Sequence, residues 1–220
     1  FYLAERDFEQ AITQLKEALA SDNKNAVLQS DLGAAWLEQG KQYRLSQEDS
    51  RSLESLAHSL EHLNQALQLK PDLKEAIFNR ALCHQYMKLT PQAIQDWKTY
   101  LQLDPESDWA REAQRYLAVI EQEQKKTAES REMLFNNYLN AFRTANADTA
   151  WEALQRSYTT RGNHIIERLL DEHLRGEDRG EAMRYAGSLA LTRTQDRYWI
   201  QLAQYYQRTT PIQRATIVQA

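Results

Sequence analysis

The stretch "LNQALQLKPDLKEAIFNRALCHQYMKLTPQAIQDWKTYLQLDP", residues 63–105, contains the pattern that decides the fold. Pro71 and Pro105 are 34 residues apart, and Leu67 and Leu101 have the same separation. Each proline follows a run of good helix formers, and proline cannot continue a helix. The spacing therefore predicts a repeated helical unit whose second helix ends at the same place each time.

An earlier copy of the pattern is displaced by more than one repeat. Leu15 and Leu19 lie 48 residues before Leu63 and Leu67, which is 14 more than the repeat length. The extra residues fall at about 41–54, a polar segment with Ser and Asp near a new helix start. We expect this insertion to form either an extended first helix or a protruding loop.

The composition favours an all-α fold and excludes several kinds of partner. The chain has 220 residues with only 6 Gly and 4 Pro, whereas sheets need turn residues at short intervals. A net charge of −4 gives no basic footprint for nucleic acid. The longest apolar runs are too short for a membrane helix. The single cysteine, Cys83, cannot form an internal disulfide, and we expect a reducing, cytoplasmic location.

Two short motifs identify the kind of repeat. Leu32-Gly33 is followed by Trp36, and Ala93 is followed four residues later by Trp97. Small residues at such positions let helices approach closely, and large ones fill the gaps between neighbouring helix pairs. This pattern, with its 34-residue period, resembles the tetratricopeptide repeat (TPR). The resemblance implies an α-solenoid of TPR helical hairpins that binds another protein and has no catalytic residue of its own.

The repeat pattern covers only the first half of the chain. We expect residues 1–126 to form the repeats, closed by a capping helix at about Asp108–Gln122. Residues 127–220 contain no lysine and twelve arginines, and their apolar periodicity is helical but not repeated. This half is predicted to be a helical extension, truncated within a helix that follows Pro211.

A narrower resemblance rests on the run "LDPESDWAREA", residues 103–113. Together with the "LGAAW" helix and the polar insertion, it is similar to the TPR region upstream of bacterial CHAT domains, which are caspase- and separase-like cysteine proteases. The resemblance implies that the chain is the recognition or regulatory arm of a larger protein. No catalytic histidine or cysteine of that family can be placed here.

The TPR resemblance also implies which residues face a peptide-binding groove. In TPR arrays the first helix of each hairpin lines the groove. The residues in those positions are Val27, Ser30, Ala34, Leu37, Glu75, Phe78, Asn79, Leu82 and Gln85. Some TPR co-chaperones bind a C-terminal carboxylate with lysines and asparagines, but Ser30, Ala34, Phe78 and Leu82 stand at those places. We therefore expect an apolar protein or peptide segment as the partner, or a domain of the same chain, and no cofactor.

The run "DRYWIQLAQYY" concentrates aromatic residues near the C-terminus. Tyr198, Trp199, Tyr205 and Tyr206 form either a partner surface or the core of the last hairpin. Both alternatives fit the sequence equally well.

Two motifs suggest chemistry but have simpler interpretations. His58, Glu61 and His62 match H-x-x-E-H, so the alternative function is a metal-dependent hydrolase. Neighbouring Ser59 and Leu63 already hold the packing positions of the helix, however, and no third ligand is evident.

Cys83 next to His84 does not make a nucleophilic pair, because adjacent helix residues point about 100° apart. We expect Cys83 to be a small buried residue and no metal to be bound.

Overall fold

The computed structural model describes residues 7–159, 162–209 and Gln213. Within them, ten helices account for nearly all of the regular structure, which confirms the predicted all-α class. The helices are α1 (Phe8–Ser21), α2 (Ala26–Leu45), α3 (Asp49–Leu69), α4 (Lys74–Tyr86), α5 (Thr90–Leu103), α6 (Asp108–Arg143), α7 (Ala147–Arg156), α8 (His164–Leu174), α9 (Gly180–Thr194) and α10 (Tyr198–Gln207). A short antiparallel hairpin, β1 (Tyr158–Thr159) and β2 (Gly162–Asn163), separates α7 from α8. The chain divides into two compact units after Glu123, and α6 contributes to both.

The N-terminal unit is built from antiparallel helix pairs. In the pair α2–α3, the Ser52 hydroxyl donates to the Gly40 carbonyl at 2.8 Å. Near the other end of the pair, His62 Nδ1 lies 2.8 Å from Gln29 Oε1. The next pair, α4–α5, packs in the same way, and α4 also contacts both α2 and α3. Consecutive pairs therefore stack as the predicted solenoid of helical hairpins.

Small and large residues interlock where the helices come closest. A Cβ atom added at Gly33 would lie only 2.6 Å from Leu63 Cγ, so only glycine fits there. Leu63 and Trp97 are fully buried at equivalent positions of successive repeats. Burying each such side chain contributes roughly 2 to 3 kcal/mol to folding. The 34-residue period thus reflects one interlocking contact made in each hairpin.

The insertion at residues 41–54 lengthens both helices of its hairpin. Helices α2 and α3 have 20 and 21 residues, whereas α4 and α5 have 13 and 14. The turn between α2 and α3 contains Gln47, whose φ of 60° places it in the left-handed region. Of the two forms expected for the insertion, the structure has the extended helix.

Helix α6 is much longer than the capping helix expected at Asp108–Gln122. It continues to Arg143 because residues 121–131, "EQEQKKTAESR", contain neither glycine nor proline and consist mostly of strong helix formers. The helix predicted to follow Pro211 lies outside the described residues.

The C-terminal unit has a core of its own. Tyr138 on α6 is fully buried, and its hydroxyl donates to the Ala182 carbonyl at 2.6 Å. Ile165 and Leu169 of α8 pack in the same core cluster. Gly162 lies in the β-hairpin with a φ of 153°. Asn163 follows it and caps α8 by accepting from the amides of Ile165 and Ile166.

Candidate functional site

The candidate site is a cavity of about 570 Å³ in the N-terminal unit. Helices α2, α4, α5 and α6 all contribute side chains to its walls. The lining residues are Glu38, Lys41, Lys74, Glu75, Phe78, Asn79, Leu82, Tyr100, Asp104, Trp109, Glu112 and Tyr116. A volume of this size is typical of a pocket that accepts a ligand or several side chains of a partner.

The cavity brings together some of the predicted groove residues and not others. Those that line it all lie on α4: Glu75, Phe78, Asn79 and Leu82. The α2 residues predicted for the groove, Val27, Ser30, Ala34 and Leu37, and also Gln85 are not part of its lining.

Burial removes two of the four predicted α2 residues from the cavity. Ser30 and Leu37 are almost fully buried, and Leu37 belongs to the hydrophobic core. Helix α2 instead presents Glu38 and Lys41, which are one and four residues after Leu37 and lie on its neighbouring face. The predicted groove residues of α4 thus lie in one cavity wall, Ser30 and Leu37 of α2 are buried, and the groove as a whole stays a prediction.

The aromatic wall of the cavity centres on Phe78. Its ring packs edge to face with Trp109, with centroids 5.3 Å apart, and with Tyr100 at 5.2 Å. Phe78 is only 7% exposed, whereas Trp109 is 60% exposed. The cavity therefore has a rigid apolar floor and, on α6, an indole that remains open to solvent.

Sequence reasoning did not assign Trp109 and Tyr116 to the site. Both lie on α6, which was expected only to cap the array. Their separation of seven residues places them on one helix face, two turns apart. That spacing was the signal that could have revealed them.

Carboxylates outnumber ammonium groups around the cavity. Lys41 is paired with Glu38 at 2.6 Å. Asp104 accepts hydrogen bonds from the hydroxyls of Ser107 and Tyr100, which hold the pKa of Asp104 below its usual value. Glu75 and Glu112 have no ion-pair partner among the residues that the structure describes. The wall thus carries excess negative charge.

This charge affects the neighbouring titratable groups. Desolvation, and then the charge of Glu75, raise the pKa of Asp31 above its ordinary value. Burial and the hydrogen bond to Asp104 raise the pKa of Tyr100 to about 12. For Tyr116, burial and a hydrogen bond to Glu112 also raise the pKa. Desolvation is the largest cause of all three shifts, and the charges of the nearby carboxylates raise each pKa further.

Comparison with known proteins gives one kind of match. No family model matches the chain, and no curated protein matches it. Among the solved structures that match is the NMR structure of the second TPR domain of the human RPAP3 protein in complex with the HSP70 peptide SGPTIEEVD. It is 22% identical, with a TM-score of 0.44 over 55% of this chain and 86% of that chain.

A buried ion network holds α4 beside the cavity. Arg80 donates two hydrogen bonds to Asp96 at 2.9 and 2.7 Å, and a third to Asn64 at 3.0 Å. His84 Nδ1 lies 2.9 Å from the same carboxylate, which is 3% exposed. Desolvation raises the pKa of Asp96, but the hydrogen bonds from His84 and Arg80 outweigh it, and the pKa is lowered. The network fixes the helix that carries Phe78.

Cys83 and His84 point to different neighbours. The Cys83 thiol is fully buried and donates to the Leu56 carbonyl on α3 at 3.2 Å, whereas His84 faces Asp96 on α5. Burial raises the pKa of Cys83 to about 11, which leaves almost no thiolate at neutral pH. Cys83 is therefore the small buried residue that the sequence predicts.

The H-x-x-E-H segment is occupied by contacts within the protein. The His58 ring stacks on Trp36 with centroids 4.6 Å apart, and His62 is bonded to Gln29. Desolvation lowers the pKa of His62. Among residues 7–159 and 162–209, no three His, Cys, Asp or Glu side chains are placed to hold a metal ion together.

The C-terminal aromatic residues divide between core and surface. Trp199 and Tyr206 pack against the core of the C-terminal unit, whereas Tyr198 and Tyr205 are exposed. Trp199 Nε1 donates to the hydroxyl of Tyr158, itself half exposed, at 3.1 Å. The core interpretation thus fits Trp199 and Tyr206, whereas a partner surface at Tyr198 and Tyr205 stays a prediction.

A second cavity of about 790 Å³ lies in the C-terminal unit. Arg168 in its wall lies over the Phe135 ring and pairs with Glu132 and Glu172. The positive and negative side chains of this wall largely neutralise each other.

In the described part of the chain, no helix is long and apolar enough to cross a membrane.

Proposed function

We propose that the chain is a protein-interaction module whose N-terminal unit binds an apolar segment of another protein in the cavity between α2, α4 and α6. The observation that carries this proposal is the exposed Trp109 indole beside the buried Phe78 ring. Tryptophan in such a setting combines a large contact area with little conformational freedom, and it dominates the energetics of many interfaces.

The form of the cavity favours a segment with regular structure. An amphipathic helix presents apolar side chains at i, i+3, i+4 and i+7, and a groove between helices accepts that stripe. Phe78 and Asn79 lie four and three residues before Leu82, so both are one helical turn from it, and all three line the cavity. Asn79 adds an amide that can bond to a partner's backbone.

The site is preorganised, which favours binding. Phe78 is fixed by three neighbouring aromatic rings, and the Arg80–Asp96 pair holds the same helix from its other side. A rigid receptor loses little conformational entropy when a ligand binds.

A displayed library of helical 16-residue peptides tests the proposal. Peptides selected on the wild-type chain should bind the Trp109→Ala variant at least tenfold more weakly than the wild type, because the variant lacks the exposed indole. The matched control is Leu53→Ala, which removes another exposed apolar side chain outside the cavity. Equal binding by wild type and Trp109→Ala, or an absence of selected peptides, would reject this function.

The narrower role, as the recognition arm of a CHAT-type protease, is part of the same proposal. Residues 103–113, which carry that resemblance, include Asp104 and Trp109 of the cavity wall. The parent open reading frame provides the test: a downstream domain with a paired catalytic histidine and cysteine is expected. A parent protein without such a domain would remove the protease role and leave the binding module.

A further inference from the structure

We infer that the cavity selects a lysine or arginine side chain on the bound segment and holds it between the aromatic rings and unpaired carboxylates. This inference rests on the proposed function and specifies the chemistry of its partner. A cation is recognised by two features at once, an aromatic face and a nearby negative charge. The cavity provides both.

The aromatic component is the indole of Trp109. Trp is the strongest cation–π partner among the side chains, and the ring of Trp109 is 60% exposed. It lies at the cavity wall, supported from below by Phe78. An alkyl stem would contact Phe78 and Leu82 while its charged end stays near the indole.

The negative charge comes from carboxylates of the cavity wall that form no ion pair with a lysine of the same wall. The Lys41 ammonium is 2.6 Å from Glu38, and the charge of Lys74 acts on Asp104. Lys41 is therefore already paired, and the cavity lining still contains two more carboxylates than ammonium groups. Glu75 and Glu112 remain for a ligand.

The charge of Glu75 also acts on the surrounding groups. The charge of Glu75 contributes to raising the pKa values of Asp31 and Tyr100, although desolvation is the larger cause for both. A ligand cation would lower this repulsion as it binds. An acidic segment would increase it, and a wholly apolar segment would desolvate both carboxylates without compensation.

The test combines the selected peptides with a small probe. Most peptides that depend on Trp109 should carry a Lys or Arg, and replacing that residue with norleucine should weaken binding at least tenfold. The double variant Glu75→Gln/Glu112→Gln should produce a similar loss for the basic peptide and little change for the norleucine peptide. Glutamine keeps the acceptor for the Tyr116 hydroxyl. The matched control is Glu17→Gln/Glu54→Gln, which removes the same charge from exposed residues outside the cavity.

n-Butylguanidinium is the probe that needs no peptide. In NMR titrations of the full chain, it should shift the Trp109 indole N–H resonance, assigned with Trp109→Phe. Butanol should not shift it, and neither should the probe with the double variant. Peptides that need Trp109 but show no basic preference, together with an unshifted indole, would overturn this inference and leave the proposed function intact. If none of the selected peptides depended on Trp109 for binding, the proposed function itself would be rejected.

Discussion

The Phe78 ring meets the Trp109 indole edge to face, with ring centroids 5.3 Å apart and ring planes at 79°. One member of this pair belongs to the core, and the other is open to solvent. Residues in direct contact therefore have separable roles, since one supports the fold and the other is available to a partner.

Substitutions at the two rings should separate stability from binding. Phe78→Ala should lower the free energy of unfolding by about 3 to 5 kcal/mol, because it opens a cavity in the core. Trp109→Ala should lower it by less than about 1 kcal/mol, because the indole is largely exposed. Urea unfolding followed by circular dichroism measures both. Comparable losses would show that Trp109 is part of the core.

Gly33 should tolerate no side chain. Gly33→Ala places a Cβ atom 2.6 Å from Leu63 Cγ and should destabilise the chain by about 1 to 3 kcal/mol, despite the better helix propensity of alanine. Thermal unfolding provides the measurement. Ala34→Gly, at the next and less buried position, is the control for propensity alone. A more stable Gly33→Ala protein would contradict the close helix contact.

The Asp96 network should make stability depend on pH in the acid range. Because the pKa of Asp96 is lower in the folded chain, its ionised form stabilises the fold above the unfolded-state pKa of about 4, and this contribution is lost as pH falls through the folded value. Asp96→Asn should cost about 3 kcal/mol at neutral pH, because Arg80 loses its buried partner. The difference from wild type should shrink below pH about 4.

Denaturant titrations at several pH values test this dependence. The exposed Asp72→Asn variant is the control, and it should follow the wild type closely. If the loss in free energy of unfolding caused by Asp96→Asn stayed constant below pH about 4, the carboxylate charge would not be involved.

In the C-terminal unit, Asn163 should matter more than an ordinary helix cap. Its buried side chain accepts from the Ile165 and Ile166 amides and donates to the Leu154 carbonyl at 2.8 Å. Asn163→Ala should cost about 2 to 3 kcal/mol, since it removes the cap together with the buried hydrogen bonds that the Asn163 side chain makes to Leu154 and Ser157. Asn146→Ala, which removes the exposed cap of α7, should cost about 1 kcal/mol. Hydrogen exchange within α8 provides the comparison, and equal protection in both variants would refute it.

The repeat was readable from the sequence because its contacts are local and periodic. Leu63 and Trp97 are buried at equivalent positions of successive hairpins, so the 34-residue spacing carries the packing directly. Pro71 and Pro105 each come just after a helix end, which set the boundaries. Local propensity and tertiary packing agree in this half of the chain.

The parts that sequence reasoning missed depend on neighbours that are distant in the chain. The seven-residue spacing of Trp109 and Tyr116 marks a shared helix face, but no local pattern specifies the contact of Trp109 with Phe78, 31 residues earlier. The two-residue strands at Tyr158 and Gly162 are shorter than any periodicity can reveal. Family register also could not show that Leu37 lies in the core, because its burial depends on contacts with other helices.

Arg80 bonds at once to Asn64 on α3 and Asp96 on α5 while it belongs to α4. If one of these helices slid along its neighbour, Arg80 or Asp96 would be left as a buried charge without a partner. Apolar contacts alone would allow a shift by one helical turn. When the array is pulled from its ends, the junction at Arg80 should therefore resist separation of the helices. Extension should begin at hairpins that have no such ionic junction.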